Sequence, residues 1–129
     1  MQLLLDTHAA LWWWTDDKLL SRRSYSAIED DRNICHVSIA SIWECVIKCA
    51  TKRMRLPAPA CEFFIERMKD NAFSLLPLDL RHLRALEGLP DARLRDPFDR
   101  LLAAQAGADR LTLVSADKAF DALRVKRLW

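Results

Sequence analysis

Short apolar runs recur along the chain and are too brief to be helices: QLLL at 2–5, ICHV at 34–37, FSLL at 73–76 and LTLV at 111–114. Runs that are apolar throughout, rather than alternating with polar residues, suit strands covered on both faces. Between them lie stretches long enough for helices, at 7–14, 21–31, 39–50, 60–69, 79–88 and 96–107, with a short helix at 118–122 and a last strand at 125–128. Strand followed by helix, repeated, implies parallel strands joined by right-handed crossovers. The expected class is therefore α/β, a three-layer α/β/α arrangement. A length of 129 residues, 51% of them hydrophobic, holds a single domain over 1–129 with enough material for a core.

The helix boundaries carry their own chemistry. Ser21, Ser38, Asp79 and Asp96 are expected N-caps, Pro97 suits a first helical position, and Gly88 and Gly107 read as helix ends. No apolar stretch approaches the ~18 residues of a membrane span. The opening MQLLLDTHAALWWW lacks a basic leader segment and is interrupted by Asp6 and His8, so a cytoplasmic protein is expected. Cys35, Cys45, Cys49 and Cys61 form no CxxC pair and read as buried free thiols, not a zinc site. A net charge of +2 is too mild to identify a nucleic-acid binder.

Five carboxylates stand in unusual places. Asp6 ends the first apolar strand, Glu44 lies in the second turn of the helix after the second strand, and Asp117 follows the fourth strand by two residues. Asp96 and Asp99 open the helix before the fourth strand at i,i+3, on one face. In open α/β sheets, ligands bind beyond the carboxyl ends of the strands, where strand order reverses. Asp6 and Asp117 belong to that edge and Glu44 starts near it, while the pattern leaves open where the 96–107 helix begins in space. Two carboxylates about 4 Å apart repel by roughly 4 kcal/mol at an effective dielectric near 20. A converging set therefore calls for protonation or a cation, and oxygen-only ligands suit Mg²⁺ or Mn²⁺. Each acid also has a plainer explanation. Asp96 caps a helix, Asp99 is a favourable first-turn charge, Asp117 is a turn residue, and Glu44 pairs with Lys48 at i,i+4.

The segments LLLDTHAALWW, VSIASIWECVIK, LPLD, GLPDARLRDPFDRLLAAQA and LTLVSADKAF occur in that order and cover essentially the whole chain. In these the sequence resembles the PIN-domain toxins of the VapC group. The resemblance implies a five-stranded parallel sheet in the order 3-2-1-4-5. It also implies a catalytic set of Asp6, Glu44, Asp99 and Asp117, with Asp96 as an auxiliary carboxylate. Asp6 and Asp99 would be the principal Mg²⁺ ligands, completed by Glu44 and Asp117. The activity implied is metal-dependent hydrolysis of RNA, leaving 5′-phosphate and 3′-hydroxyl ends. The implied partners are an RNA substrate, a second copy in a homodimer or a larger assembly, and an antitoxin protein that fills the groove. Two departures spare the acids: the turn CATKRMRLP lacks a glycine often found before the basic pair, and Ser115 stands where threonine is usual.

Lys48, Lys52, Arg53 and Arg55 gather at the end of the third helix, either as cations suited to a helix C-terminus or as a patch for phosphates or antitoxin. Arg93, Arg95 and Arg100 flank Asp96 and Asp99, to balance them or to meet RNA. Trp12, Trp13 and Trp14 sweep some 200° of one helix at ~100° per residue, so one of them is expected at a dimer or antitoxin interface. His8 reads as structural, while His36 and His82 suggest nothing. Two rival readings stand beside the nuclease. One is a catalytically silent PIN-like module that binds RNA or protein. The other is a haloacid-dehalogenase-like phosphatase, which needs a second Asp where this chain has His8.

Overall fold

The computed structural model describes residues 1–91 and 94–129. Five strands form one sheet in the order β3-β2-β1-β4-β5: β1 (Gln2–Leu5), β2 (Ile34–Ser38), β3 (Ser74–Leu76), β4 (Thr112–Val114) and β5 (Arg127–Leu128). Every pairing is parallel, with Leu5 opposite Val37 on one side and Val114 on the other. The helices are α1 (Thr7–Trp14), α2 (Arg22–Glu29), α3 (Ile39–Ala50), α4 (Ala60–Asp70), α5 (Leu80–Glu87), α6 (Pro97–Ala108) and a 3₁₀ segment, Lys118–Leu123. None of the described helices is long and apolar enough to cross a membrane.

The pleat divides the core in two. Leu3 and Leu5 join Val37, Val114 and Phe64 on one face, while Leu4 joins Leu113, Leu102 and Phe120 on the other. Both faces of β1 are thus fully covered, which explains why its three leucines are consecutive rather than alternating with polar residues. The chain builds outward from β1 through β2 to β3, then crosses back to place β4 on β1's other side. Strand order reverses between β1 and β4, and the carboxyl edge there is open.

Several boundaries differ from the sequence reading. β3 and β4 each start one residue late, β5 is reduced to two residues, and α2 stops at Glu29 rather than near 31. The glycine signal at 107 misleads: α6 runs through it to Ala108 and is capped by Asp109. Neither glycine has a positive φ. Left-handed positions are taken instead by Asp16, Lys52, Ala72, Arg110 and Arg124, with φ between 52° and 59°. The thiols are free, but only Cys35 and Cys45 are buried; Cys49 is half-buried and Cys61 exposed. Burial pushes Cys35 up to about 11 and Cys45 to about 12, which leaves both unreactive.

The three tryptophans find partners inside the chain. Trp12 meets Trp129 at 5.8 Å, Trp13 donates from Nε1 to Asn71 Oδ1 at 2.9 Å, and Trp14 stands edge-on to Phe64 at 5.1 Å. All three are half-buried against the same core.

Candidate active site

The open edge is where the acids meet. Asp6 leaves β1 with its backbone N–H bonded to Val114 O at 3.1 Å, so the first and fourth strands fix its position. Its side chain caps α1, accepting from the Ala9 N–H at 2.7 Å. Ser38 begins α3 by accepting from the Ala40 N–H, and Glu44 follows in the second turn, buried. Asp96 caps α6, accepting from the N–H groups of Phe98 and Asp99 at 2.9 and 3.0 Å. Asp117 caps the 3₁₀ segment, accepting from the Ala119 N–H at 2.9 Å. The structural explanations foreseen for Asp96, Asp117 and Glu44 therefore hold as local geometry. They do not exclude a shared site, because all five acids line one pocket of about 260 Å³ together with Thr7, His8, Lys48 and Phe120.

Electrostatics show how close the acids are. The Asp99 carboxyl is pushed up to about 7, first by burial and then by the negative charges of Asp96, Glu44, Asp6 and Asp117. Every other acid of the set contributes. Asp6 is also raised, chiefly by burial, against the opposing pull of hydrogen bonds from Ser115 and the Ala9 N–H and of the nearby His8. Ser115 ties two acids together, since its hydroxyl also accepts from the Asp117 N–H at 3.1 Å. The threonine-to-serine departure thus keeps the hydroxyl where it is used.

Glu44 is held at both oxygens. Thr7 Oγ1 donates to Oε1 at 2.6 Å, and Lys48 Nζ lies 2.8 Å from Oε2. Thr7 escaped the sequence reading, although a hydroxyl directly after Asp6 at a strand exit is the signal that points to it. Lys48, read in the sequence both as the i,i+4 partner of Glu44 and as a member of the basic turn, takes the first role: its ammonium faces the acids. Arg100 neither balances the acids nor faces outward: it donates to the carbonyls of Leu94 and Pro90 and fastens the loop before α6. Arg95 is exposed, and Arg93 lies outside the described residues. Beside the acids, Trp43 is 54% exposed and packs edge-on to Phe98 at 5.0 Å, a pairing across α3 and α6 that local pattern does not reveal.

Among the described residues, no three His, Cys, Asp or Glu side chains are grouped so as to hold a metal ion as they stand. The chemistry of the donors nevertheless suits a hard cation. The pocket presents carboxylate and hydroxyl oxygens, one imidazole and no sulfur, with Lys48 as the one ammonium against five acids.

A family model described as the PIN domain matches residues 3–126. No curated protein sequence matches the chain. Among solved structures, the chain is similar in fold to VapBC2 from Rickettsia felis bound to a DNA fragment from their promoter, at 15% identity and a TM-score of 0.67, covering 99% of this chain and 98% of that one. FitAcB from Neisseria gonorrhoeae is similar at 19% identity and a TM-score of 0.62, covering 98% and 96%. FitAB bound to an IR36 DNA fragment is similar at 19% identity and 0.65, covering 98% and 93%.

Proposed function

This chain belongs to the PIN-domain family, and from that premise we propose that it is a Mg²⁺-dependent endoribonuclease, the toxin of a type II toxin–antitoxin pair. The observation that carries the reading is the convergence of Asp6, Glu44, Asp96, Asp99 and Asp117, from separate elements, on one pocket at the β1/β4 switch. Asp6 and Asp99 are the residues that would hold the ion, with Glu44 and Asp117 completing the site and Asp96 beside them; Mn²⁺ has the same oxygen preference. The chemistry such an ion would supply there is activation of water and offset of charge on the phosphodiester oxygens. The chain's own residues position the reaction. Thr7 and Lys48 fix the rotamer of Glu44, so its carboxylate is preset to orient the attacking water. Ser115 and the Ala9 N–H hold Asp6 in one orientation.

The single-domain reading over 1–129 and a cytoplasmic location belong to the same proposal. So do a homodimer, larger toxin–antitoxin assemblies and a cognate antitoxin. Support for the antitoxin comes from the likeness in fold to VapBC2 and FitAB, both described on DNA. A silent module that only binds RNA or protein is the second reading, favoured by the engagement of both Glu44 oxygens. The phosphatase alternative is set aside by the family match.

The test is cleavage of single-stranded RNA by the wild type and by Asp6→Asn, each with Mg²⁺ and with EDTA. Asparagine keeps an oxygen to cap α1, so the variant is expected to fold. Cleavage by the wild type that needs metal and is lost in Asp6→Asn is expected. Metal-supported cleavage that survives Asp6→Asn overturns the assignment, and RNA binding without cleavage selects the silent module.

A further inference from the structure

A second, larger groove of about 710 Å³ opens beyond the C-terminal end of α3, lined among others by Lys52, Arg53, Arg55, Met54 and Leu56. We infer that this groove is a phosphate track for the substrate strand, holding single-stranded RNA on one side of the scissile bond. The inference rests on the ribonuclease reading above and adds where the strand runs.

Charge is the first argument. Lys52, Arg53 and Arg55 are exposed, and among the described residues none is paired with a carboxylate. Arg53 Nε donates only to the neutral Thr51 hydroxyl at 3.0 Å. Three unneutralised cations within four residues repel one another and favour a polyanion. Met54 and Leu56, half-buried between them, give the groove an apolar floor suited to sugar and base faces.

Continuity is the second. Lys48, which lines the acid pocket, also holds the turn that lines the groove. Its ammonium lies among the acids, while its carbonyl accepts from the N–H groups of Arg53 at 2.8 Å and Met54 at 3.2 Å. The basic turn is therefore clamped to the catalytic helix rather than swinging free. The eight residues from Glu44 to Lys52 rise about 12 Å at helical spacing, close to four stacked nucleotides at about 3.4 Å per phosphate. A strand with its scissile phosphate near Glu44 thus reaches the turn within a few nucleotides.

The test uses the full chain carrying Asp6→Asn, expected to bind without cutting, and a fluorescently labelled twelve-nucleotide RNA. Adding Lys52→Gln, Arg53→Gln and Arg55→Gln should weaken binding at least tenfold. It should also flatten the logarithmic salt dependence by about 2, three contacts at about 0.7 each. Neutralising Lys18, Arg22 and Arg23 instead, exposed cations remote in sequence, should leave both within twofold. In the otherwise wild-type enzyme, the basic-turn variant should raise KM for the twelve-mer with kcat retained, and leave dinucleotide cleavage unchanged. Equal binding by parent and basic-turn variant, or equal losses in both triple variants, overturns the track while leaving the nuclease reading intact. A binding loss in a wild type that never cleaves keeps the track and sinks the nuclease. Binding of an acidic peptide but not RNA to the same cations overturns the track in favour of a protein partner.

Discussion

The two ends of α6 treat aspartate in opposite ways. At the C-terminal end, Asp109 sits where the helix dipole disfavours an anion, yet its carboxyl is held below the usual range. Arg81 grips it with Nε and Nη2 at 2.8 and 3.1 Å, and the buried His82 adds Nε2 at 2.8 Å. His82 Nδ1 accepts from the Asp79 N–H, so its proton is on the nitrogen facing Asp109. At the N-terminal end, Asp99 has the favourable end of the dipole, and still its carboxyl is pushed to about 7. A dipole effect of about 0.3–1 kcal/mol is overridden at both ends by what surrounds the side chain. One end answers its charge with the Arg81 guanidinium and an imidazole N–H and ties α5 to α6; the other gathers acidic groups at an open edge. On the proposed nuclease reading, that contrast separates a carboxylate that holds the fold from one kept for chemistry.

The sharpest way to break the contrast is to neutralise each end in turn. Asp99→Asn should cost cleavage about a hundredfold or more, roughly 3 kcal/mol of transition-state stabilisation. Asp109→Asn should leave cleavage within a few-fold and lower stability by about 1–2 kcal/mol, since it weakens charge-assisted hydrogen bonds that are partly open to solvent. Paired RNA-cleavage and urea-unfolding measurements decide it. A large loss of cleavage in Asp109→Asn would show that the far end also serves the chemistry.

Stability against pH gives the next effect. Asp99 has a folded pKa above its unfolded value near 3.8, so above that value the native state binds more protons. Its contribution therefore worsens as pH rises from about 4 through 7, and Asp99→Asn should be more stable than wild type at pH 8 by about 1–3 kcal/mol. The difference should vanish below pH 4. Asp109, with its pKa lowered, behaves in reverse: its contribution is present above the unfolded value and disappears as pH falls through the folded one. Unfolding midpoints of wild type and both variants across pH 3–8, without divalent metal, test both signs. An Asp99→Asn variant no more stable than wild type at pH 8 removes the claim that this end carries uncompensated charge.

How much of this was legible in the sequence follows the same division. The central strand, the caps Ser21, Ser38 and Asp96 and the parallel alternation are local, and the residues announce them. Asp6, Glu44 and Asp117 were marked out by where they stand relative to strands. What stayed hidden depends on distant partners. His82, uninformative in the chain, is fully buried between Asp79 and Asp109, and Trp43 meets Phe98 across 55 residues. Helix ends were misread for a related reason: with two glycines in the chain, residues such as Ala72 and Arg110 take left-handed positions that composition assigns to glycine.

Within the acid end, Thr7 gives a smaller and more specific effect. Thr7→Val removes the 2.6 Å hydrogen bond to Glu44 and leaves that oxygen unanswered in a buried site. Cleavage should fall about tenfold and stability by about 1–2 kcal/mol. Thr7→Ser, which retains the donor, should recover most of the cleavage. A serine variant as slow as valine would mean that Thr7 acts through packing, and Glu44 would need another explanation for its orientation.

The smallest effect returns to the C-terminal end of α6, at Gly107. The residue lies inside the helix, its φ is not positive, and an added Cβ would meet nothing within 4 Å. Gly107→Ala should therefore stabilise the protein by about 0.5–1 kcal/mol, because alanine loses less conformational freedom on entering a helix. That corresponds to a rise in Tm of about 2–4 °C for a chain of this size. Cleavage should stay within twofold. The comparison with Asp99→Asn matters more than the number, since both substitutions raise stability and both fall on one helix, yet only the N-terminal one should abolish cleavage. If Gly107→Ala also slows cleavage, rigidity and chemistry are coupled along α6, and charge alone no longer distinguishes its two ends.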